Sequence, residues 1–523
     1  MNQGKSILLI TISMLFTVLF AVNHQVPGEY STIQAALNAS VGGDTVFVAP
    51  GIYYENLNWP QVDGIKLIST GTRENTIIDG NHAGRVLGII SPWSAPVITQ
   101  ATLVSGFTLR NGLGMMNGVG INCYYASPTL KNLIIAFNKS QEMGSGGGLY
   151  CYNASPLVED VIIIHNDAYS GGGAHIDPVS SPVFNNCIFA DNTLYSPGGS
   201  YAAGIYGRYE VYFQLNHCLV TRNRSWTTSA IHLGEVCTPT LSHTTITDNY
   251  NGILVVTNGS INMQYCNIAD NDNYGLWLLN ASPVTTQHNW WGNANGPYHE
   301  TLNPSGNGDT VVGTVNFTDW LTLPDDTAPM APPRNLNLVS VQDHSAVISW
   351  DASTEATLDH YEISYGTDTL AVCLPHIIDI VPESTINIPI NDLNSGTDYV
   401  VQVAAVGSDN RSWFSNRIIV HTTGTAATDP VAPFISFGNY PNPFSRNTTL
   451  RFEVKQPQEM HLKIYNVKGQ AVRTLLSGSK VSGTQQAYWD GLDDRGKPVA
   501  SGIYFARVES GLSSAQIKML LIN

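Results

Sequence analysis

The chain has 523 residues, 43% hydrophobic and 12% charged, which is enough apolar material for several folded domains and too much for a disordered polypeptide. Its 24 basic and 40 acidic side chains give a formal charge of −16 and exclude the dense cationic footprint that nucleic-acid binding needs. The same acidity sets a condition on any polyanionic partner, because calcium would have to bridge the like charges.

Residues 1–21 carry one lysine, Lys5, an apolar run from Ile7 to Phe20, and a small residue, Ala21, where a signal peptidase can cut. The run falls short of the ~20 residues that span a bilayer comfortably. A signal peptide is therefore expected, with a secreted or surface-attached mature protein and no transmembrane helix. Tyr30 to Asn38 then place apolar side chains at helical spacing, ahead of a β-like run from Gly42 to Gly51. A short amphipathic helix in this position caps a stack of strands whose first layer would otherwise expose core and edges.

Short rungs are expected around Ile65–Ser69, Thr76–Asp79 and Leu103–Leu109. Beyond them a phrase recurs: a glycine or alanine, an inward apolar residue, an outward residue, and another small or apolar one. It begins at Gly120, Gly148, Gly173, Gly204, Ala230, Gly252 and Gly275. A second phrase ends in Asn138, Asn166, Asn192, Asn223, Asn249 and Asn271, with spacings of 28, 26, 31, 26 and 22 residues. Such a period belongs to a solenoid, in which each turn buries its apolar side only by stacking on the next. The asparagines are expected to form a structural ladder between rungs ~4.8 Å apart and to tolerate left-handed turns. The column just before them, Phe137, His165, Asp191, Arg222, Asp248 and Asp270, reads as a solvated surface ladder worth little. Cys187, Cys218 and Cys266 occupy the place of Leu133, Val161 and Thr244, five residues before an asparagine, so they read as small buried hydrophobes. Cys123 and Cys151 share another interior column, which leaves a disulfide between them open.

The outward positions of the glycine phrase are Asn122, Tyr150, His175, Tyr206, His232, Leu254 and Trp277. Two residues further lie Tyr124, Tyr152, Asp177, Arg208 and Gly234. Strand alternation puts both columns on one side, with glycine-rich inserts at Ser140–Gly148, Tyr169–Gly173 and Ser196–Gly204 as walls. A sugar needs aromatic surface for its C–H face and planar polar groups for its hydroxyls. Asn122, Tyr124, Tyr150, Tyr152 and Trp277 are the candidate binding residues. Were the strip catalytic, His175, Tyr206 and His232 would move protons, Arg208 would neutralise a uronate carboxylate, and Asp177 would partner the arginine or hold calcium. A glycoside hydrolase wants two carboxylates about 5–9.5 Å apart, and no clear second one is found.

The phrase Tyr30–Ala36, the Thr76–Gly80 rung, the repeats and the Asn289–Trp290–Trp291–Gly292 ending together resemble the right-handed parallel β-helix proteins of the pectate-lyase-like superfamily, over 22–323. That resemblance implies the fold. Its functions range over lyases, hydrolases, esterases, epimerases, adhesins and scaffolds. The coil departs from the lyases in having only Lys66, Lys131 and Lys139, and from the galacturonan hydrolases in lacking a paired Asp-Asp step.

After a Pro/Asp/Ala linker (324–332), the segment 333–423 has β-sandwich size and alternation. Trp350, Tyr361, Leu393 and Tyr399 make it resemble a fibronectin type III domain, which implies a spacer or adhesive module. A second linker (424–433) leads to Asn439–Phe444, Leu462–Gly469, Trp489–Gly491, Gly502–Phe505 and a last strand at Lys518–Ile522. Alternation alone gives a small β-sandwich at 434–523. The motif order resembles the C-terminal sorting domain of type IX secretion cargo, implying export from a Gram-negative bacterium by that machinery. The expected protein is all-β: a right-handed parallel β-helix with an N-terminal cap helix, then two β-sandwiches. It is expected to bind extracellular polysaccharide, with a polysaccharide lyase or glycoside hydrolase acting on a uronate-containing or neutral glycan as the first alternative and an adhesin or scaffold as the second.

Overall fold

The computed structural model describes residues 21–523 apart from 93–97, 195–200, 225–228, 354–357, 371, 373, 375, 381–387, 409, 424–433, 467–469, 511–512 and 523. The expected leader up to Phe20, Cys373, the second linker and most of the Ser196–Gly204 insert lie outside the described residues.

From Asn23 to Asn316 the chain winds as a coil of parallel strands, in three long sheets of ten, eleven and nine strands. One turn runs Leu157–Glu159, Ile162–Ile164, Asp167–Ala168 and Ala174–Ile176 before Val183–Asn185 rejoins the first sheet. Asp167–Ala168 belongs to a fourth, four-stranded sheet that the sequence reading did not anticipate. Inward Ile, Leu, Val, Phe and Cys side chains of successive turns form one continuous buried cluster. Cys123 and Cys151 stand in register within it, and both are free thiols, as are the buried Cys187, Cys218, Cys237 and Cys266.

The cap helix spans Ile33–Ala39 and buries Ile33, Ala36 and Leu37. The Thr32 hydroxyl accepts from Ala35 N at 3.1 Å, and the Glu55 carboxylate accepts from Ile33 N and Gln34 N, both at 2.9 Å. A carboxylate from the next layer thus satisfies the helix's free N–H groups. A first strand, Asn23–Val26, pairs with Thr45–Val48 ahead of the expected rungs. At the far end Trp291 is buried, while Phe317 and Trp320 close the core.

The asparagines form the expected ladder. Asn138 N and Nδ2 donate to Asn166 Oδ1 at 3.1 and 3.0 Å, and Asn166 Nδ2 donates back to Ile135 O at 2.8 Å. The pattern repeats through Asn192, Asn223, Asn249 and Asn271, so each buried amide satisfies a neighbour's main chain. The left-handed angle falls one residue earlier than expected: Phe137, His165, Asp191, Arg222, Asp248 and Asp270 have φ of 50–59°. The turn needs that conformation, and the amide bonded on both sides holds it at residues that do not favour it.

The Phe137–Asp270 column is solvated only in part: Asp270 is exposed, but the middle of the column is covered. Arg222 is buried and forms a two-pronged pair with Asp191 at 2.8 and 2.9 Å, and Phe137 stacks on His165 at 5.1 Å. The first of two compact units joins the coil to residues 350–385 and 400–417, and within it Val372, Ala404, Trp413 and Phe414 pack against Ile134, Ile162, Ile164 and Leu219. The segment after Pro324 also lies on the coil, with Asp325 bonded to His243 at 2.8 Å and to Asn267 at 2.8 and 2.9 Å. Trp350 meets Tyr361 edge-on at 5.2 Å. In the second unit the Tyr399 hydroxyl accepts from Asn394 N at 2.9 Å, the tyrosine corner expected from Leu393 and Tyr399. There too, Phe434–Tyr440, Thr448–Asn466, Ala471–Trp489, Gly502–Ser510 and Ser513–Leu521 form one antiparallel sheet around Trp489. Among the described residues no helix is long and apolar enough to cross a membrane.

The ladder ends on a carboxylate. Asp309 Oδ2 accepts from Asn271 N at 3.2 Å and from its Nδ2 at 2.7 Å. The residue is half-buried, yet its carboxyl points into the ladder, where burial pushes its pKa up to about 7. A carboxyl whose folded value is raised stabilises the fold below its unfolded value near 3.8, and this is lost as pH rises through about 7. Asp309→Asn keeps the acceptor without the charge. It is expected to raise stability at pH 8 by about 2–4 kcal/mol, with little change at pH 4, in thermal or denaturant unfolding.

Candidate functional site

The eleven-stranded sheet brings the outward column into one line. Asn122 stands opposite Tyr150, Tyr150 opposite His175, then Tyr206, His232, Leu254 and Trp277 in unbroken register. Adjacent rings touch, at 5.5 Å for Tyr150–His175, 4.9 Å for His175–Tyr206 and 5.3 Å for Tyr206–His232, the last two edge-on. In the second column Tyr124 and Tyr152 are stacked at 4.8 Å, and Tyr125 meets both edge-on.

The expectation of an open strip is corrected for most of the first column. Asn122, Tyr150, His175, Tyr206, His232 and Asp177 are buried, Tyr124, Tyr152 and Trp277 are half-buried, and Arg208 is exposed. Two of the glycine-rich inserts, Ser140–Gly148 and Tyr169–Gly173, fold back onto the strands that follow them. Gly146 and Gly171 have φ of 66° and 60°, and a Cβ there would come within 3.0 Å of Tyr150 Cβ and 2.8 Å of His175 Cβ. Only glycine permits so close an approach. The inserts therefore lie over the strip as well as beside it.

Beneath them is a closed polar chain. Asp177 accepts hydrogen bonds from the Tyr150 hydroxyl, from His175 Nε2 at 3.3 Å and from Arg208 Nη1 at 3.4 Å. His175 Nδ1 lies 2.8 Å from the Ser170 hydroxyl, itself 2.9 Å from Ser145. Burial pushes the Asp177 carboxyl up, but the His175 and Tyr150 hydrogen bonds and the His175 and Arg208 charges outweigh it and hold the group below the usual carboxylate range. Burial, together with the Asp177 carboxylate, raises the Tyr150 phenol. The order Ser170–His175–Asp177 matches a nucleophilic triad in connectivity. However, Ser170 is 2% exposed, and an attacking hydroxyl needs an open approach. Asp177 thus serves as the arginine partner. The one group of three His, Cys, Asp or Glu side chains close enough to share an ion among the described residues lies elsewhere.

The coil opens one rung further on, in a cleft of about 590 Å³ lined by Tyr152, Tyr201, Tyr206, Arg208, Tyr209, His232 and Glu235, with Pro178, Gly234, Val256 and Thr257. Of the expected residues, Tyr152, Tyr206, Arg208 and His232 line it; Asn122, Tyr124, Tyr150, His175, Asp177 and Trp277 do not. Trp277 instead packs edge-on against Tyr274 at 5.2 Å. The sequence reading missed Tyr201, Tyr209 and Glu235. Tyr209 and Glu235 are register partners one residue past Arg208 and Gly234, on two adjacent strands that run to five residues. Burial, then the neighbouring Tyr201, raises the Tyr206 phenol, and burial lowers His232 to about 4. Arg208, 61% exposed at its side chain, is held charged by Asp177.

The family described as right handed beta helix region matches residues 148–318, and the fibronectin type III domain family matches 331–421. The chain carries a right-handed β-helix followed by a fibronectin type III domain. Residues 444–514 match the FlgD Ig-like domain, within the segment whose motifs resemble a sorting domain. No curated protein matches the chain. Among solved structures, one titled "Myokine structure" is 27% identical and covers 18% of this chain and 99% of its own, at a TM-score of 0.16. The fn3 domain of human contactin 1 is 16% identical over 20% of this chain and 85% of its own, at 0.17. A two-domain fibronectin type III segment of chicken tenascin is 15% identical over 36% and 99%, at 0.15.

The polar chain under the inserts of the β-helix separates its members by mutation. Asp177→Ala leaves Tyr150, His175 and Arg208 without their shared acceptor and is expected to cost about 2–4 kcal/mol in denaturant unfolding. Arg208→Ala, at the exposed end, is expected to cost less than about 1 kcal/mol.

Proposed function

We propose that the protein is exported and binds an extracellular polysaccharide in the cleft between Tyr152 and Glu235, without turning it over. The observation that carries this reading is the grouping of Tyr152, Tyr201, Tyr206 and Tyr209 around the exposed Arg208 guanidinium. Tyrosine rings offer flat apolar area to the C–H face of a pyranose and a hydroxyl to its oxygens, while losing little conformational entropy. Arg208, anchored by buried Asp177, suits a planar carboxylate, so a uronate-containing glycan fits better than a neutral one. The proton-transfer roles considered for the strip are poorly served. His175 is occupied on both nitrogens, the Tyr206 phenol is held protonated, and His232, near 4, is neutral and weakly basic at extracellular pH.

The test is affinity electrophoresis and calorimetry of the full chain on neutral and uronate glycans, with and without calcium, alongside assays for new reducing ends and unsaturated products. Retention on a uronate glycan without products is expected, and Arg208→Ala or Tyr209→Ala should weaken it about tenfold, a change near 1.4 kcal/mol. Accumulation of an unsaturated product would replace binding by a lyase. Absence of retention on every glycan would leave an adhesin or scaffold.

Surface delivery belongs to the same proposal. The order of Asn439–Phe444, Trp489–Gly491 and Gly502–Phe505 supports reading 434–523 as the segment addressed to the type IX secretion machinery of a Gram-negative bacterium. Fusing these residues to a periplasmic reporter in a type IX-competent host is expected to move the reporter to the cell surface. Reporter retained in the periplasm would overturn this part.

A further inference from the structure

We propose that the fibronectin type III domain holds a zinc-class divalent cation between His360, Glu362 and Asp379. Strand Leu358–Gly366 pairs antiparallel with His376–Ile380, and the register sets Glu362 directly opposite Asp379. Like charges directly opposite on a sheet repel unless something lies between them. His360 sits two residues before Glu362, on the same face. The three side chains each place a ligand atom within 4.8 Å of the others.

Two further contacts point to a metal rather than to a surface ion pair. His360 Nε2 is 3.9 Å from Asp379 Oδ1, too far for a hydrogen bond and close to the separation of two ligands on one ion. Ligands ~2.1 Å from a tetrahedral zinc lie roughly 3.4 Å apart, a gap that the exposed Asp379 closes by turning. The other imidazole nitrogen, Nδ1, donates to Asp359 Oδ2 at 3.0 Å. A carboxylate behind a histidine in this way fixes the tautomer with Nε2 free and strengthens it as a ligand. Glu362 is oriented as well: Arg411 Nε donates to its Oε2 at 2.6 Å, leaving Oε1 for the ion. One imidazole with two carboxylates favours zinc over magnesium or calcium, which take oxygen ligands alone. His376–Ile380 is an edge strand of its sheet, so the ion would staple that edge to its neighbour.

The experiment is calorimetric titration of chelator-treated full-length protein with zinc, calcium and magnesium, repeated on His360→Ala, Asp359→Ala and Asp379→Asn, with thermal unfolding in each state. Saturable zinc binding is expected that weakens tenfold or more in His360→Ala and about tenfold in Asp359→Ala. Zinc should raise the melting temperature of the wild type and leave that of His360→Ala unmoved. Should His360→Ala fail to fold, the exposed Asp379→Asn carries the same comparison. Zinc affinity unchanged in both His360→Ala and Asp379→Asn would overturn the site, and calcium binding as tightly as zinc would overturn the ligand class.

Discussion

Everything in the N-terminal unit depends on successive turns lying in register, and the buried asparagine amides hold that register. Each of Asn138, Asn166, Asn192, Asn223 and Asn249 is fully buried and bonded both to the next asparagine and to main chain of the preceding turn. A slip by one residue would leave a column of amides without partners, each costing about 1–3 kcal/mol. Hydrophobic stacking alone is tolerant of small shifts, whereas directional amides are not. The ladder therefore turns residues some two dozen positions apart into fixed neighbours, and a site can be assembled from separate turns.

The site follows from the same constraint combined with a second one, coverage. Register lines up Asn122, Tyr150, His175, Tyr206 and His232, and the fold-back at Gly146 and Gly171 seals the Tyr150–His175 stretch. Sealed polar groups must satisfy one another, and they do so around Asp177. The ionised Asp177 then stabilises the positive charge of Arg208 at the edge of the cleft. A structural network inside the covered half thus sets the electrostatics of the open half, which explains why the exposed arginine sits beside a buried carboxylate.

Much of this was legible in the sequence, because a solenoid converts spacing directly into contact. The asparagine period, the glycine phrases, the cap helix within Tyr30–Asn38 and the tyrosine corner at Leu393 and Tyr399 each carry a local signal tied to one geometry. Exposure was not legible. Alternation says on which side of a strand His175 lies, but it cannot say that the insert just ahead of that strand folds back and closes over it. The same limit hid the docking of Val372, Trp413 and Phe414 on the isoleucine face of the coil, which made the Arg222 and Asp191 column look solvated. Both failures concern tertiary cover, which the pattern within one repeat does not record.

Within a repeat fold, identity along a column and chemistry along a column mean different things. Where one residue type recurs, as in the asparagines or the interior cysteines, stacking and bond satisfaction account for it without any ligand. Where the types change from turn to turn, stacking offers no such account, and the outward column of the glycine phrase is of this kind. The cleft lies where that irregularity coincides with a change of length: Ile205–Tyr209 and Ile231–Glu235 extend to five residues, whereas the neighbouring strands of that sheet have three or four. The extra residues are Tyr209 and Glu235, which contribute nothing to the core and stand at the cleft. The lengthened strands set exposed polar and aromatic side chains beside Arg208, and this separates that part of the coil from the turns that only stack.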